Sequence, residues 1–374
     1  MPWNEVTIMS MKRDFIKLAQ SDCVSFTELC KRFQISRKAG YCLLKRYQTQ
    51  GEAGLQPVSR RPHHSPHRTN ERIEDKILQV RKQRPYWGAR KIRAYLLNQG
   101  ELDIPAKSTV NTILHRQDAI DPTASAKRKP FIRFEHEAPN DLWQIDFKGH
   151  FAMKHSRCHP LTVLDDHSRF SIGLRACGNE RKETIMPHFI EIFEQYGLPW
   201  HINFDNGSPW GSPSRSRYTS FSIWLMRLGI RVSFSRPRHP QTNGKDERFH
   251  RTLKTELLGD YVFKDLNEAQ EKFDVWRSEY NYDRPHEALD LKPPISRYHM
   301  SPRVFPKQLP DIIYPDSDDI RQVNKAGTIS YYNKKYFIGE GFRGLPLGIR
   351  QKEERKYDVY FCQQKIYTLI LSTE

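Results

Sequence analysis

Three acidic residues occupy positions from which a carboxylate could take part in catalysis. Asp146 lies in a run, 143–148, in which large apolar residues alternate with polar ones, so we expect it on the polar face of a strand. Asp205 ends a short apolar run and precedes an Asn-Gly turn, which predicts a carboxylate at the rim of a sheet. Glu247 lies near the start of a helix that follows a loop rich in Pro and Asn. Spacing alone also allows the plainer interpretation that each is a surface or capping residue.

Carboxylates that a fold brings together repel one another unless cations are present. Hard divalent cations relieve that repulsion, and Mg²⁺ prefers a few carboxylates together with phosphate oxygens of a substrate. Two such ions, about 3.5–4 Å apart, can activate an attacking oxygen and stabilise a leaving oxygen in phosphoryl transfer. The trio therefore predicts a site for two Mg²⁺ ions, for which Mn²⁺ can substitute.

The helix of Glu247 carries a second signal. Apolar residues recur every four positions from Phe249 to Leu257, a stripe that would face a core. Glu247 points away from that stripe, and Lys254, two turns further on, shares its face. Asp246 projects to another face of the helix. The pattern thus predicts a carboxylate and a cation on one outward surface.

The elements that must position these side chains follow from hydrophobic periodicity. Between Pro139 and Phe234 the pattern predicts three hairpin-linked strands, a helix, a strand, a helix and a further strand, and the helix of Glu247 comes next. This order is typical of a mixed α/β fold. Asp165 and Asp166 form a competing acidic pair just after one of these strands, and we expect a turn or structural role for them.

Composition favours a polyanionic partner. The 374 residues carry a formal net charge of +17, and the basic residues are spread along most of the chain. A basic surface without specificity is the alternative. The six cysteines form no CxxC pair and predict reduced thiols, and no apolar run nears the ~18 residues of a membrane span. We therefore expect a soluble, unsecreted, cytoplasmic protein.

The N-terminal region predicts a helix-turn-helix. A helix at 11–20 precedes two short helices that are joined by a tight turn. Thr27 would start the first of the two and Ser36 would cap the second. The start of the second helix is the end that reaches base edges in such motifs, and the DNA-binding residues predicted on it are Ser36, Arg37, Lys38, Tyr41 and Lys45. An ordinary small helical bundle is the alternative.

Two basic linkers interrupt the N-terminal half. Residues 51–68 are rich in Pro, Arg, Ser and His, and Arg60 and Arg61 are expected to follow DNA phosphates. Residues 118–133 form the second linker. Tandem modules separated in this way could follow successive grooves of one DNA site.

Between the linkers, three more helices predict a second helix-turn-helix module. They are expected at 70–83, 88–97 and 108–116. Thr69 and Ser108 are the predicted caps of the first and third helices. Arg90 and Lys91, in the middle helix, are candidate DNA-binding residues.

The C-terminal region reads as strands. Helix 266–282 is followed by a Pro-rich stretch that predicts a linker. Short apolar and aromatic runs between 327 and 369 alternate with turn residues, which predicts a small β-barrel.

At this level of detail the chain resembles a known family. The runs Trp-Gln-Ile-Asp at 143–146, Asp-Asn-Gly at 205–207 and His-Pro-Gln-Thr-Asn-Gly-Lys-Asp-Glu-Arg-Phe-His-Arg-Thr-Leu-Lys at 239–254 resemble those of the DDE transposases of bacterial insertion sequences, in the retroviral-integrase superfamily. Residues 280–289 resemble the tail of the same catalytic core. Residues 26–47 and the linker after them are similar to the family's end-binding region.

The resemblance implies a ribonuclease-H-like core in which Asp146, Asp205 and Glu247 are the catalytic, metal-binding triad. It also implies that Lys254 contacts DNA near the scissile phosphate, where we further expect Asn206 and Arg251. The interval between Asp205 and Glu247 is longer than is typical of the wider superfamily, which leaves the local path open.

The expected activity is that of a transposase. It would bind the terminal inverted repeats of its element, cleave the element's ends and join each 3′-OH to target DNA. Its partners would be double-stranded DNA and further copies of the chain, as a dimer or higher. A domesticated, catalytically silent regulator and a structure-specific nuclease with the same core are the alternatives.

The complete domain prediction combines these parts. Its segments are a helix-turn-helix domain at 1–58, a basic linker at 59–68, a second helix-turn-helix domain at 69–117, a basic linker at 118–138, the catalytic core at 139–298, a linker at 299–322 and the barrel at 323–374.

Overall fold

The computed structural model describes residues 7–21, 23–57, 68–120, 135–205, 207, 209–211, 217–235, 244–259 and 261–371. The chain divides into two compact units, residues 1–68 and 69–374. Among the described residues, no helix combines the length and the apolar character that crossing a membrane requires. The six cysteines all fall within the described part and are free thiols, as predicted.

The first unit is a bundle of three helices. They are α1 (Ile8–Gln20), α2 (Phe26–Arg32) and α3 (Arg37–Gln50). Ser36 caps α3 as predicted, because its hydroxyl accepts a hydrogen bond of 3.2 Å from the Ala39 amide. Helix α2 starts one residue before the predicted start at Thr27, and Ser25 caps it by accepting a hydrogen bond of 3.4 Å from the Glu28 amide. The difference of one residue is within the usual uncertainty of a helix boundary.

The chain after α3 belongs to this unit and is not yet a linker. A 3₁₀ turn, Gly51–Leu55, folds back so that Leu55 is fully buried. The Lys12 ammonium donates a hydrogen bond of 2.7 Å to the Leu55 carbonyl. Leu55 is the one large apolar residue of this turn, and a single such residue in a polar stretch was too weak a signal to predict that the chain folds back onto the helices.

The second unit begins with three more helices, which the sequence also predicts. They are α4 (Glu71–Gln83), α5 (Ala89–Asn98) and α6 (Lys107–Arg116). Both predicted caps were wrong, because Asn70 caps α4 in place of Thr69, and Ser108 lies inside α6. Ile77, Trp87 and Val110 lie in the buried centre of this module.

A mixed sheet follows, and it has five main strands and one short addition. They are β1 (Leu142–Phe147), β2 (Phe151–Ala152), β3 (Arg157–Asp165), β4 (Ser171–Cys177), β5 (His201–Phe204) and β6 (Arg231–Phe234). β3 pairs antiparallel with β1, β2 and β4, whereas β1–β5 and β5–β6 are parallel. The predicted mixed sheet is confirmed.

Helices cover both faces of this sheet. They are α7 (Lys182–Tyr196), α8 (Ser220–Arg227), α9 (Gly244–Leu253) and α10 (Leu266–Tyr282). Residues of α7 and α8 pack with Trp143 and Ile145 of β1 in one cluster. Residues of α9 and α10 pack with Leu164 and Leu174 in a second cluster. Because side chains alternate along β1, its polar residues face the side of α9.

The C-terminal part adds two small sheets. Its strands are β7 (Asp319–Gln322), β8 (Thr328–Tyr331), β9 (Lys334–Phe337), β10 (Pro346–Glu353), β11 (Lys356–Phe361) and β12 (Gln364–Ile370). Within the described residues the sheets are a four-stranded one, β12-β11-β10-β7, and the hairpin β8–β9. The barrel is not confirmed, since the four-stranded path does not close.

The stretch predicted as a linker before these strands is fastened to the core. The Arg303 guanidinium donates hydrogen bonds to the carbonyls of Leu228 and Gly229, each 3.0 Å long. β7 also lies in this stretch. Further on, the Gln364 side chain exchanges two hydrogen bonds of 2.8 Å with the backbone of Val232 at the edge of the core sheet.

Candidate active site

Asp146 and Asp205 lie at the same level on neighbouring parallel strands. β1 and β5 pair with Ile145 opposite Phe204, and each aspartate comes one residue later. Ile145 and Phe204 both point into the cluster under α7 and α8. The alternation of side chains therefore directs both carboxylates to the face that α9 covers.

Gly207 shapes the turn that holds Asp205. Its amide donates a hydrogen bond of 2.9 Å to Asp205 Oδ1. A Cβ at this position would come within 3.1 Å of Asp205 Oδ2, so a side chain here would crowd the carboxylate. The Asp-Asn-Gly motif thus has a local reason for its glycine. Asn206 lies outside the described residues, and its predicted DNA contact remains a prediction.

The environment of Asp146 disfavours a charged carboxylate. Burial raises the pKa of Asp146 to about 7, and the charge of Asp205 adds to the rise. A divalent cation beside the two carboxylates would offset both effects, since it compensates their negative charge. Two hard oxygen donors on adjacent strands suit Mg²⁺, so the residues present fit this ion.

His250 fastens α9 to the strand of Asp146. Its Nε2 lies 2.9 Å from the Thr162 hydroxyl, and that hydroxyl donates a hydrogen bond of 2.9 Å to the Asp146 carbonyl. His250 Nδ1 is 4.0 Å from Asp146 Oδ2. Burial lowers the pKa of His250 to about 4, with a contribution from Lys148, so the ring is neutral at pH 7. It therefore acts as a hydrogen-bonding spacer between helix and strand.

Glu247 lies one turn before His250 on α9, and residues three apart on a helix are neighbours. Its side chain is exposed. The described residues contain no group of three or more His, Cys, Asp or Glu side chains close enough to hold a metal ion. The structure thus brings Asp146 and Asp205 together and leaves Glu247 on an exposed face of α9, one turn before His250, without closing a three-carboxylate cluster.

The predicted cations lie along the same helix. Arg251 and Lys254 are both exposed. Lys148, which follows Asp146 on the polar alternation of its strand, is half-buried; burial lowers its pKa, and the charge of Lys254 lowers it further. Two cations this close favour an anion between them. The carboxylates therefore adjoin a positively charged surface.

The competing acidic pair has structural roles, as predicted. Asp165 accepts hydrogen bonds from the Asn140 and Ser168 amides, 2.7 and 2.8 Å long, and closes the turn after β3. Asp166 is buried and pairs with Lys245 of α9 at 2.5 Å. This ion pair is a second attachment of the start of α9 to the sheet.

The residues predicted to bind DNA in the first unit form one exposed surface on α3. All five are exposed: Ser36, Arg37, Lys38, Tyr41 and Lys45. The Tyr41 ring stacks on Phe26 with centroids 4.1 Å apart, which holds the tyrosine at the surface. Arg60 and Arg61 lie outside the described residues.

The two candidates in the second module lie near the core. Arg90 of α5 is exposed and is 3.9 Å from Glu287. Lys91 is half-buried, and its charge contributes to the lowered pKa of His286 after burial and Arg284. Their DNA contacts remain predictions.

Sequence reasoning missed three residues of the site, which are Lys148, Thr162 and His250. The alternation that singled out Asp146 also places Lys148 on the same face, and helical spacing places His250 beside Glu247; both could have been found. Thr162 reaches Asp146 only through the pairing of β1 with β3, which a local pattern does not specify.

Comparisons with known families match most of the chain in separate segments. The matches are a Helix-turn-helix domain at 11–63, a Homeodomain-like domain at 39–114, an Integrase core domain at 136–240 and again at 228–294, and an IS481 family transposase, C-terminal domain, at 318–374. They follow the order of the predicted parts.

Curated relatives include proteins of insertion elements. An uncharacterized protein of insertion element IS476 from Xanthomonas euvesicatoria is 28% identical over 156 residues, 42% of this chain and 43% of that protein, so the match spans less than half of that relative. The transposase for insertion sequence element IS904 from Lactococcus lactis subsp. lactis is 32% identical over 178 residues, 46% of this chain and 67% of that protein.

Among solved structures, the simian T-cell lymphotropic virus intasome covers 79% of this chain and 95% of its own, with 16% identity and a TM-score of 0.38. The relationship with the IS904 transposase and the ordered matches to integrase core and transposase C-terminal families are more specific. On these grounds the chain belongs to the transposases of bacterial insertion sequences that carry an integrase core domain.

Proposed function

We propose that this protein binds the terminal inverted repeats of its insertion sequence, cleaves the element's ends and joins the freed 3′-OH to target DNA. Water would attack the phosphodiester at each end and leave a 3′-OH on the element. That hydroxyl would then attack a target phosphodiester, with one P–O bond formed and one broken. The second step needs no external energy source.

The observation that carries this proposal is the shared level and face of Asp146 and Asp205 beneath α9. β1 and β5 hold the two carboxylates next to each other, and His250 fastens the helix of Glu247 to β1. We assign Asp146, Asp205 and Glu247 as catalytic and metal-binding residues. Two bound Mg²⁺ ions, or Mn²⁺ in their place, would lower the cost of charge on the attacking and leaving oxygens.

The remaining residues have binding roles in this proposal. Lys148, Arg251 and Lys254 would hold phosphates of the end strand beside the carboxylates. The exposed start of α3, with Arg37, Lys38 and neighbouring residues, would read bases of the terminal repeat. The high positive charge of the chain would add affinity that falls with salt.

The first test uses a duplex that carries the inverted repeats flanking the gene. With Mg²⁺ the protein should nick this duplex at the 3′ end of the element and join the product to a plasmid, and a chelator should abolish both steps. D146N should bind the duplex with nearly unchanged affinity, produce no cut and bind Mn²⁺ more weakly by electron paramagnetic resonance. Specific binding by the wild type without any cleavage would contradict the proposal and match a silent regulator.

A matched control is D141N. Asp141 lies on the approach to the same strand, where its carboxylate accepts a hydrogen bond of 3.0 Å from the Ala138 amide. The D141N variant also replaces one carboxyl by an amide, but outside the candidate site, so cleavage should persist. If D141N and D146N lost cleavage activity equally, the loss would be due to impaired folding, and the assignment of Asp146 as a catalytic residue would be wrong.

A further inference from the structure

Residues 279–291 contain a motif, Tyr280–Leu289, to which the proposed chemistry gives no role. This segment comprises the end of α10 and the turn after it, and it contacts both the second helical module and the helix of Glu247. It makes one set of contacts with the module and another with that helix.

On the module side, Arg84 is the main anchor. Its guanidinium lies over the rings of Trp87 and Tyr95, at 4.9 and 4.7 Å from their centroids. It also forms a salt bridge with Glu279 of α10, and only 17% of the Arg84 side chain is exposed. Because the two rings restrict the motion of the guanidinium, its ion pair holds Glu279 of α10 at a defined position relative to the module.

Three weaker contacts extend this attachment along α5 and just past its end. Each joins a polar side chain of the module to an acceptor in the 279–291 segment. They are Arg90 with Glu287 at 3.9 Å, Gln99 Nε2 with Asp283 Oδ1 at 3.3 Å, and Asn98 Nδ2 with the Leu291 carbonyl at 3.3 Å. Four attachment points spread along the module define its orientation as well as its distance.

On the core side, the same segment holds α9. Tyr280 packs edge-on against Phe249 with centroids 5.0 Å apart, and Trp276, one turn before the segment on α10, does so at 5.5 Å. Arg284 forms a two-pronged pair with Glu256, in the π turn Lys254–Leu258 that continues α9, with its shortest contact at 2.9 Å. Phe249 is two residues from Glu247. The segment thus contacts α9 at Phe249 and the turn that continues it at Glu256.

We propose that residues 279–291 form a rigid coupling between the second helix-turn-helix module and the helix of Glu247, which fixes how far from the module's DNA site the strand is cut. The inference rests on the proposed function and adds a measuring role to it. Arg84 and Glu279 are positioning residues in this scheme. The attached module keeps a surface for DNA, because Lys107, Ser108 and Thr112 of α6 remain exposed.

The test maps cleavage at nucleotide resolution in R84E, E279R and the charge-swapped double variant R84E/E279R. The substrate is the end duplex and a version with two base pairs inserted between the footprint of the module and the cut. Wild type should keep a constant distance from the footprint, so its cut moves with the insertion. Each single variant should spread its cuts and lose about 10- to 100-fold in rate at the normal phosphate, as expected for a misplaced substrate.

The double variant restores opposite charges and should restore a single cut. E279Q, which removes the charge without reversing it, keeps the test valid if R84E or E279R melts early. Wild-type cleavage with unchanged cuts in all variants would overturn the coupling alone. Faster cleavage by the single variants would also overturn it, since the contact would then be inhibitory. Absence of wild-type cleavage would overturn the proposed function and the measuring role together.

Discussion

Asp246 and Glu247, two neighbouring acidic residues of α9, differ in how far their carboxyl groups are exposed to solvent. Glu247 is exposed on the side of the helix that also carries Arg251. Asp246 is only 2% exposed. Burial raises its pKa well above the ordinary value, and the charges of Asp146 and Asp166 add to the rise. A carboxyl enclosed in this way has no path to a DNA phosphate, which is why we place Glu247 at the reacting centre.

Substitution of each residue by its amide separates the two. E247Q should lower the rate of end cleavage by about 1,000-fold, equivalent to about 4 kcal/mol of transition-state stabilisation. D246N keeps the shape of a buried side chain and should retain a rate of the same order as wild type. Single-turnover cleavage of the end duplex measures both. Loss in D246N together with activity in E247Q would reverse the assignment.

Lys148 illustrates what the sequence pattern predicts about the site and what it does not. It shares the alternating face that identifies Asp146, so its location beside the site follows from sequence. Its proximity to Lys254 does not, because one cation directly follows β1 and the other begins the π turn after α9. Only the packing of helix on sheet brings these two charges together.

At the scale of elements, local periodicity predicted helices better than connections. The sequence predicts helices at about 182–196 and at 266–282, and α7 and α10 have these bounds, because both have a long apolar stripe. β7 was missed: all four of its residues are exposed, and it exists through pairing with β10. The same contrast holds within the candidate site. Strand alternation predicts the face on which Asp146 lies, whereas the ion pair of Lys245 with Asp166 depends on tertiary structure and could not be predicted.

The close packing of α3 against α1 and α2 gives a prediction about the first unit. A Cβ at Gly40 would lie 2.8 Å from Cys30 Sγ and 3.1 Å from ring atoms of Phe15 and Phe26. G40A should therefore destabilise this unit by about 1–3 kcal/mol through overpacking. In hydrogen exchange on the full chain, amides of α1 to α3 should exchange about 5- to 150-fold faster.

The control for G40A is T49A in the same helix. The Thr49 side chain is exposed, and its hydroxyl donates only to carbonyls of its own helix, those of Lys45 at 3.0 Å and Arg46 at 3.2 Å. Alanine also has the higher helix propensity. Exchange in T49A should match wild type. If G40A exchanged at the wild-type rate, the tight contact between α3 and the other two helices would not exist in solution.

At the scale of the whole molecule, the proposed reaction predicts that more than one chain takes part. An insertion sequence has two ends, and the chain carries one integrase core. For joining both ends to one target we therefore expect at least two chains, each with its own carboxylates and its own end duplex. The two basic DNA-binding modules per chain suit this arrangement, because each chain can hold an end independently.

The number of active chains per product can be measured by mixing wild type with E247Q before DNA is added. If each chain cuts one end, an equal mixture should yield about half of the single-end product but only about one quarter of the product in which both ends are joined, as expected for random pairing in a dimer. Mixing with D246N in place of E247Q should leave both yields unchanged. A two-ended yield that falls in direct proportion to the wild-type fraction would mean that one core serves both ends, and light scattering of the DNA complex would then give a single chain.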